Sequence, residues 1–204
     1  MRFCDTILNS FSQRVTRAAV TGALVIGAAC ERTPEWRGTP VLPPRTVAAT
    51  AFVDSTGQRV ELLPPAGHAA LVFFGYTNCP DVCPTTLADW VRVKQAMADD
   101  ASRVHFVLVT VDPARDTPAV TQRFAAQFDP TFVGLSASPE QTLAVQSAFG
   151  ANAVQQDSHA GADHVTAHSA QSFLVDDRGN ILVAYRFGAG WDVMSADLKT
   201  LLKP

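Results

Sequence analysis

Residues 69–84 read Ala69-Ala70-Leu71-Val72-Phe73-Phe74-Gly75-Tyr76-Thr77-Asn78-Cys79-Pro80-Asp81-Val82-Cys83-Pro84. The first eight form a continuous apolar run, the pattern of a strand buried on both faces. The second eight turn polar and carry two prolines and two cysteines. Leu87, Trp90, Val91, Val93, Lys94 and Met97 follow in a helical stretch reaching about Ala98. A buried strand therefore passes through a cysteine-bearing turn into a helix. In open α/β sheets, ligands bind beyond the carboxyl ends of strands.

Val104 to Val111 reads as a second central strand. Thr117-Pro118 opens a helix, with proline at the first helical position. Phe132 to Leu135 is a short strand. Ser138-Pro139-Glu140-Gln141 has the form of a capping box and starts a helix to about Phe149. Strands at Ser172–Val175 and Ile181–Tyr185 join through Asp177-Arg178-Gly179-Asn180, and a last helix runs from about Val193 to Leu202. Upstream, Ala51-Phe52-Val53 and Arg59 to Leu62 flank Ser55-Thr56-Gly57-Gln58 as a hairpin. Strands alternating with helices predict an α/β or α+β domain with a mixed sheet.

Composition agrees with one folded domain. The chain has 204 residues, 47% hydrophobic and 17% charged, too apolar for disorder and long enough to bury a core. Four cysteines are too few for a disulfide scaffold of this length. A net charge of −3 without a basic block excludes nucleic acid as the main partner.

Before the domain, Arg14 and Arg17 precede the uncharged apolar run Ala18 to Ala29, and Cys30 follows. A positive region, a short apolar core and a small-residue exit describe a secretory signal. The run is short of the roughly 20 residues that span a bilayer. Small residues before Cys30 resemble a bacterial lipoprotein signal, although Gly27 stands where an aliphatic residue is usual. An uncleaved anchor and a plain cleaved signal are the alternatives. Each places the domain outside the cytoplasm. Losing Arg2, Arg14, Arg17 and Asp5 with the signal makes the mature chain more acidic still. Residues 1–29 are thus read as signal, 30–46 as a lipid-anchored, proline-rich tether, and 47–204 as the domain.

Cys4 leaves with the signal and Cys30 is assigned to lipid, so Cys79 and Cys83 remain. Two chemistries fit this pair: disulfide exchange, or thiolate binding of a soft metal such as Cu(I) or Zn. A static staple closing so short a loop would gain little. The histidines are His68, His105, His159, His164 and His168. His68 and His105 have no evident partner in sequence. The last three share one polar segment, and His168 is best placed to act with the cysteines because a strand follows it directly.

The stretch FFGYTNCPDVCPTTL, Phe73 to Leu87, resembles the signature of the Sco/SenC family. So do VTVDPARDTP, Val109 to Pro118, and His168-Ser169 followed by SFLVDDRGN. Order and spacing match over about Ala51 to Leu202. The resemblance implies a thioredoxin-like fold: a central mixed sheet flanked by helices, with an N-terminal hairpin. It implies a membrane-tethered protein of the periplasmic side of a bacterial cell membrane. Such a protein binds copper and assists assembly of the binuclear copper centre of cytochrome c oxidase. Cys79, Cys83 and His168 take the family's ligand roles, and Asp112 and Asp116 a supporting one. The implied partners are the copper-bearing oxidase subunit or another copper chaperone, and a thiol reductant. Asn78 and Ala167 depart from the family pattern, where His and Asp are frequent. Two other functions compete: a thiol–disulfide oxidoreductase, using Cys79 and Cys83 as a redox pair, and a copper or redox sensor.

Overall fold

The computed structural model describes residues 34–54, 56–151 and 170–203. The signal, Cys30 and the segment holding His159, His164 and His168 lie outside them. The described chain builds a six-stranded sheet from β1 (Thr39–Thr46), β4 (Ala69–Gly75), β5 (Val104–Thr110), β6 (Val133–Leu135), β7 (Gln171–Val175) and β8 (Asn180–Arg186). The order is β1-β8-β7-β4-β5-β6. Strands β4, β5 and β6 run parallel, whereas β7, β8 and β1 join as antiparallel neighbours. The expected hairpin, β2 (Ala51–Val53) and β3 (Arg59–Glu61), forms a separate two-stranded sheet.

Among the described residues, four α-helices flank the sheet: α1 (Val82–Met97), α2 (Pro118–Ala126), α3 (Pro139–Phe149) and α4 (Trp191–Leu201). The period-two geometry of strands splits the sheet into two apolar faces. Leu71, Phe73, Phe106 and Leu108 pack with Leu87, Trp90 and Leu198 of α1 and α4. Val72, Phe74, Val107 and Val109 pack with Val145 and Phe149 of α3 and Phe52 of the hairpin. Both faces of β4 are covered, so all seven of its residues are buried. That is why residues 69–75 carry no polar alternation.

The proline-rich stretch departs from the expected tether. Thr39–Thr46 pairs with β8 as an edge strand, with an irregular register between Pro40 and Arg45. An edge strand needs ladder bonds on one side only, so Pro40, Pro43 and Pro44 are tolerated there. The backbone N–H groups of Arg37 and Gly38 donate to the buried Asp197 carboxylate of α4, at 2.8 and 2.9 Å. Trp36 packs against the core. The domain therefore begins near residue 36 rather than at residue 47.

Candidate metal and thiol centre

Strand β4 ends at Gly75, and the chain turns through residues 76–81 into α1. The backbone N–H of Val111 donates to the Gly75 carbonyl at 2.8 Å, which fixes the end of β4 against the chain leaving β5. A Cβ on Gly75 would lie 2.7 Å from the Phe73 ring and 2.9 Å from the Cys83 sulfur. Glycine at this position makes room for the buried thiol.

The turn is held from below by Asp116, which is 2% exposed. Its carboxylate accepts the Thr77 backbone N–H at 2.8 Å, the Thr77 hydroxyl at 2.5 Å and the Thr110 hydroxyl at 2.7 Å. The supporting role expected of Asp116 thus has a structural basis, since it locks the cysteine turn to β5. Asp112 pairs instead with Arg115, three residues on.

The two sulfurs have opposite environments. Cys79 is partly exposed and Cys83 fully buried, and both are free thiols. Burial raises the Cys79 thiol, but its hydrogen bonds outweigh this. Donors are the backbone N–H of Cys83, the Cys83 thiol, the backbone at Asp81 and the Tyr76 side chain, and together they hold Cys79 below the ordinary thiol range. Burial pushes the Cys83 thiol far up, and the neighbouring Cys79 and Asp116 add to it. Burial likewise raises Tyr76, reinforced by the two sulfurs beside it. The result is one accessible thiolate-prone sulfur over one protonated reserve sulfur. Such a pair can exchange disulfides or bind a soft cation, which would displace the second proton. Tyr76 and Gly75 were not singled out by sequence reasoning, although both stand inside the quoted stretch.

Residues 42–203 match the SCO1/SenC family. The chain belongs to the SCO1/SenC family. Its fold matches the solution structure of apo Sco1 from Thermus thermophilus with a TM-score of 0.69 and 33% identity, covering 83% of this chain and 99% of that one. It matches the structure of Bradyrhizobium japonicum ScoI with copper bound at a TM-score of 0.63 and 34% identity, covering 75% and 98%. Protein SenC of Rhodobacter capsulatus is 33% identical over 134 residues, 66% of this chain and 60% of that protein. The thioredoxin-like fold expected from the SCO1/SenC resemblance is thereby established.

Not every expected SCO1/SenC site residue is described. His168 lies outside the described residues, and among those residues no group of three or more His, Cys, Asp or Glu is arranged to hold a metal. The flanks of that segment are informative. Strand β7 pairs Ser172 with Phe73, so the chain enters β7 beside the end of β4. Ala170 accepts the Phe187 N–H at 2.8 Å. It also lines a small cleft with Thr86, one turn beyond Cys83 in α1. His68 and His105 lie elsewhere: they precede or open β4 and β5, at the far end of the sheet from the cysteines.

Proposed function

We propose that this chain is an extracytoplasmic copper metallochaperone that takes up copper through Cys79, Cys83 and His168. Its acceptor is the copper-bearing subunit of cytochrome c oxidase, or another copper chaperone. The observation that carries the reading is the cysteine pair at the entry to α1, Cys79 in the preceding turn and Cys83 on the first helical turn: two soft sulfurs, one partly exposed, the other fully buried. Soft thiolates favour Cu(I), and imidazole is a compatible additional ligand. Support for His168 comes from Ala170, two residues on, which shares a cleft with Thr86 of α1. The copper-bound ScoI relative supports the choice of metal.

Copper is cargo in this scheme. Uptake releases protons, the larger share from Cys83, whose thiol is the harder to ionise. Release proceeds when thiolates of the acceptor replace Cys79 first, because that sulfur is the accessible one. The same asymmetry supports a second reading, a thiol–disulfide reductase in which Cys79 attacks and Cys83 resolves. One variant separates them. His168→Ala should weaken copper binding strongly while leaving Cys79–Cys83 disulfide exchange near its normal rate. Copper-poor oxidase in cells carrying it would favour the chaperone. Normal oxidase activity with copper affinity lost would leave thiol reduction as the better account.

We further infer that a lipid on Cys30 tethers the protein to the membrane. Small residues precede Cys30, and the apolar run Ala18 to Ala29 is short of the roughly 20 residues that span a bilayer. Mass spectrometry of the mature N-terminus tests this: a diacylated Cys30 terminus is expected, and an intact Met1 terminus in the membrane fraction overturns it.

A further inference from the structure

His68 is the residue before β4, and His105 is the second residue of β5. The two strands are parallel neighbours, with Ala69 opposite Val104 and Ala70 opposite His105. Adjacent strand starts therefore bring two histidines together that are 37 residues apart in sequence. Their ring centroids are 5.7 Å apart at an interplanar angle of 82°. Both residues are partly exposed.

The His68 tautomer follows from its neighbour. Nδ1 lies 3.0 Å from the Ala66 carbonyl oxygen. A carbonyl only accepts, so Nδ1 carries the hydrogen and Nε2 of the neutral ring keeps its lone pair. A backbone carbonyl fixing one nitrogen while the other stays available is the usual support for a metal-binding histidine. The positive charge of neighbouring Arg103 is already committed: its guanidinium donates to the carbonyls of Gly67 and Leu202 and pairs with Asp100.

The ring separation is compatible with a shared cation. Metal–nitrogen bonds of about 2.0–2.1 Å place two imidazole centroids about 5 Å apart at a tetrahedral angle and about 6.4 Å apart when linear. Adjacent ligands of a square-planar ion would need about 4.5 Å by the same geometry. The observed spacing falls between the tetrahedral and linear values. Imidazole is a ligand that Zn(II) and Cu(I) both accept.

We propose that His68 and His105 form a second cation site, remote from the cysteines, for Zn(II) or Cu(I). No third His, Cys, Asp or Glu joins them among the described residues. Water completes the shell for Zn(II), whereas Cu(I) held by the two imidazoles alone draws the rings apart toward the linear separation. The site is independent of the proposed role of the cysteines.

The test uses the full chain carrying Cys79→Ser and Cys83→Ser, so that sulfur does not compete. Imidazole NMR signals are followed while Zn(II) is added in one arm and Cu(I), anaerobically as its acetonitrile complex, in the other. Saturable shifts of His68 and His105 with a shared midpoint are expected in at least one arm, and the arm that responds identifies the ion. Adding His68→Gln should raise the midpoint at His105 at least about tenfold, at the lower end of what even outer-shell losses cost a metal site. His105→Gln should do the same at His68, and unchanged melting temperatures show that the fold persists. No saturable shift at His105 in either arm would overturn the proposal. So would a His105 response that His68→Gln leaves intact.

Discussion

The Sγ of Cys79 accepts the backbone N–H of Cys83 at 3.4 Å, so a sulfur occupies the place where a helix usually receives a capping oxygen. Asp81, the N-cap residue of α1, makes no side-chain cap bond. Cys83 is the second residue of α1, and its N–H is one of the donors that helix geometry leaves unpaired. The reactive sulfur is thus also the helix cap. Negative charge on it is stabilised by that N–H and by the partial positive charge of the helix start.

The two thiols should therefore react at different rates. Iodoacetamide at pH 7 is expected to label Cys79 at least tenfold faster than Cys83 in the reduced protein, read by peptide mass spectrometry. The Cys79 rate should reach half its plateau below the ordinary thiol value of about 8.5. Equal labelling of both cysteines would contradict the asymmetry described here.

Asp116 should matter for stability and for the cysteine turn together. Asp116→Ala removes the acceptor of the partly buried Thr77 N–H and hydroxyl and of the buried Thr110 hydroxyl. A cost of about 2–4 kcal/mol follows, or a melting temperature lower by roughly 5–12 °C. Calorimetry measures it. Faster Cys83 alkylation in the same variant would show that the turn has loosened.

Gly134 of β6 has a different vulnerability. A Cβ there would meet the backbone of α2, with the Gln122 nitrogen at 2.6 Å and the Thr121 carbonyl closer still. Backbone cannot give way as a side-chain tip can. Gly134→Ala should cost about 2–3 kcal/mol, within the range for overpacked sites, and a denaturant titration with unchanged slope would confirm a stability effect.

Acid should weaken one particular ion pair. Burial raises the Asp129 carboxyl, but the Lys94 ammonium at 2.7 Å and the hydroxyl and N–H of Thr131 outweigh it and hold the group below its ordinary value. Its contribution is complete above the unfolded value of about 3.9. It is lost as pH falls through the lower folded value. Asp129→Asn should thus lower the melting temperature at pH 7 by a few degrees, consistent with about 1 kcal/mol. The deficit should shrink below pH 4, and a deficit independent of pH would count against the assignment.

Much of the molecule was legible locally. The unbroken apolar run at residues 69–76 announced a doubly covered strand, and Thr117-Pro118 marked the start of α2, where the Thr117 hydroxyl accepts the Val120 N–H at 3.4 Å. The cysteine turn was readable because its residues are adjacent in sequence. The capping box was only half right. Ser138 accepts the Gln141 N–H at 3.2 Å, but the Gln141 side chain leaves for the Ala51 carbonyl at 2.7 Å. A distant backbone acceptor on the hairpin outbid the local one.

Chain neighbours enforce the βα unit, the two thiols at the entry to α1, and the elements that surround them. Tertiary structure alone decided three things. It made an edge strand of the proline-rich stretch, because β8 had a free ladder and Asp197 could receive two N–H groups from 160 residues away. It set the two sulfurs apart in acidity, because burial at Cys83 and the Asp116-locked turn depend on β5 lying beneath. And it joined His68 to His105 through the register of parallel strands, a pairing that no spacing along the chain encodes.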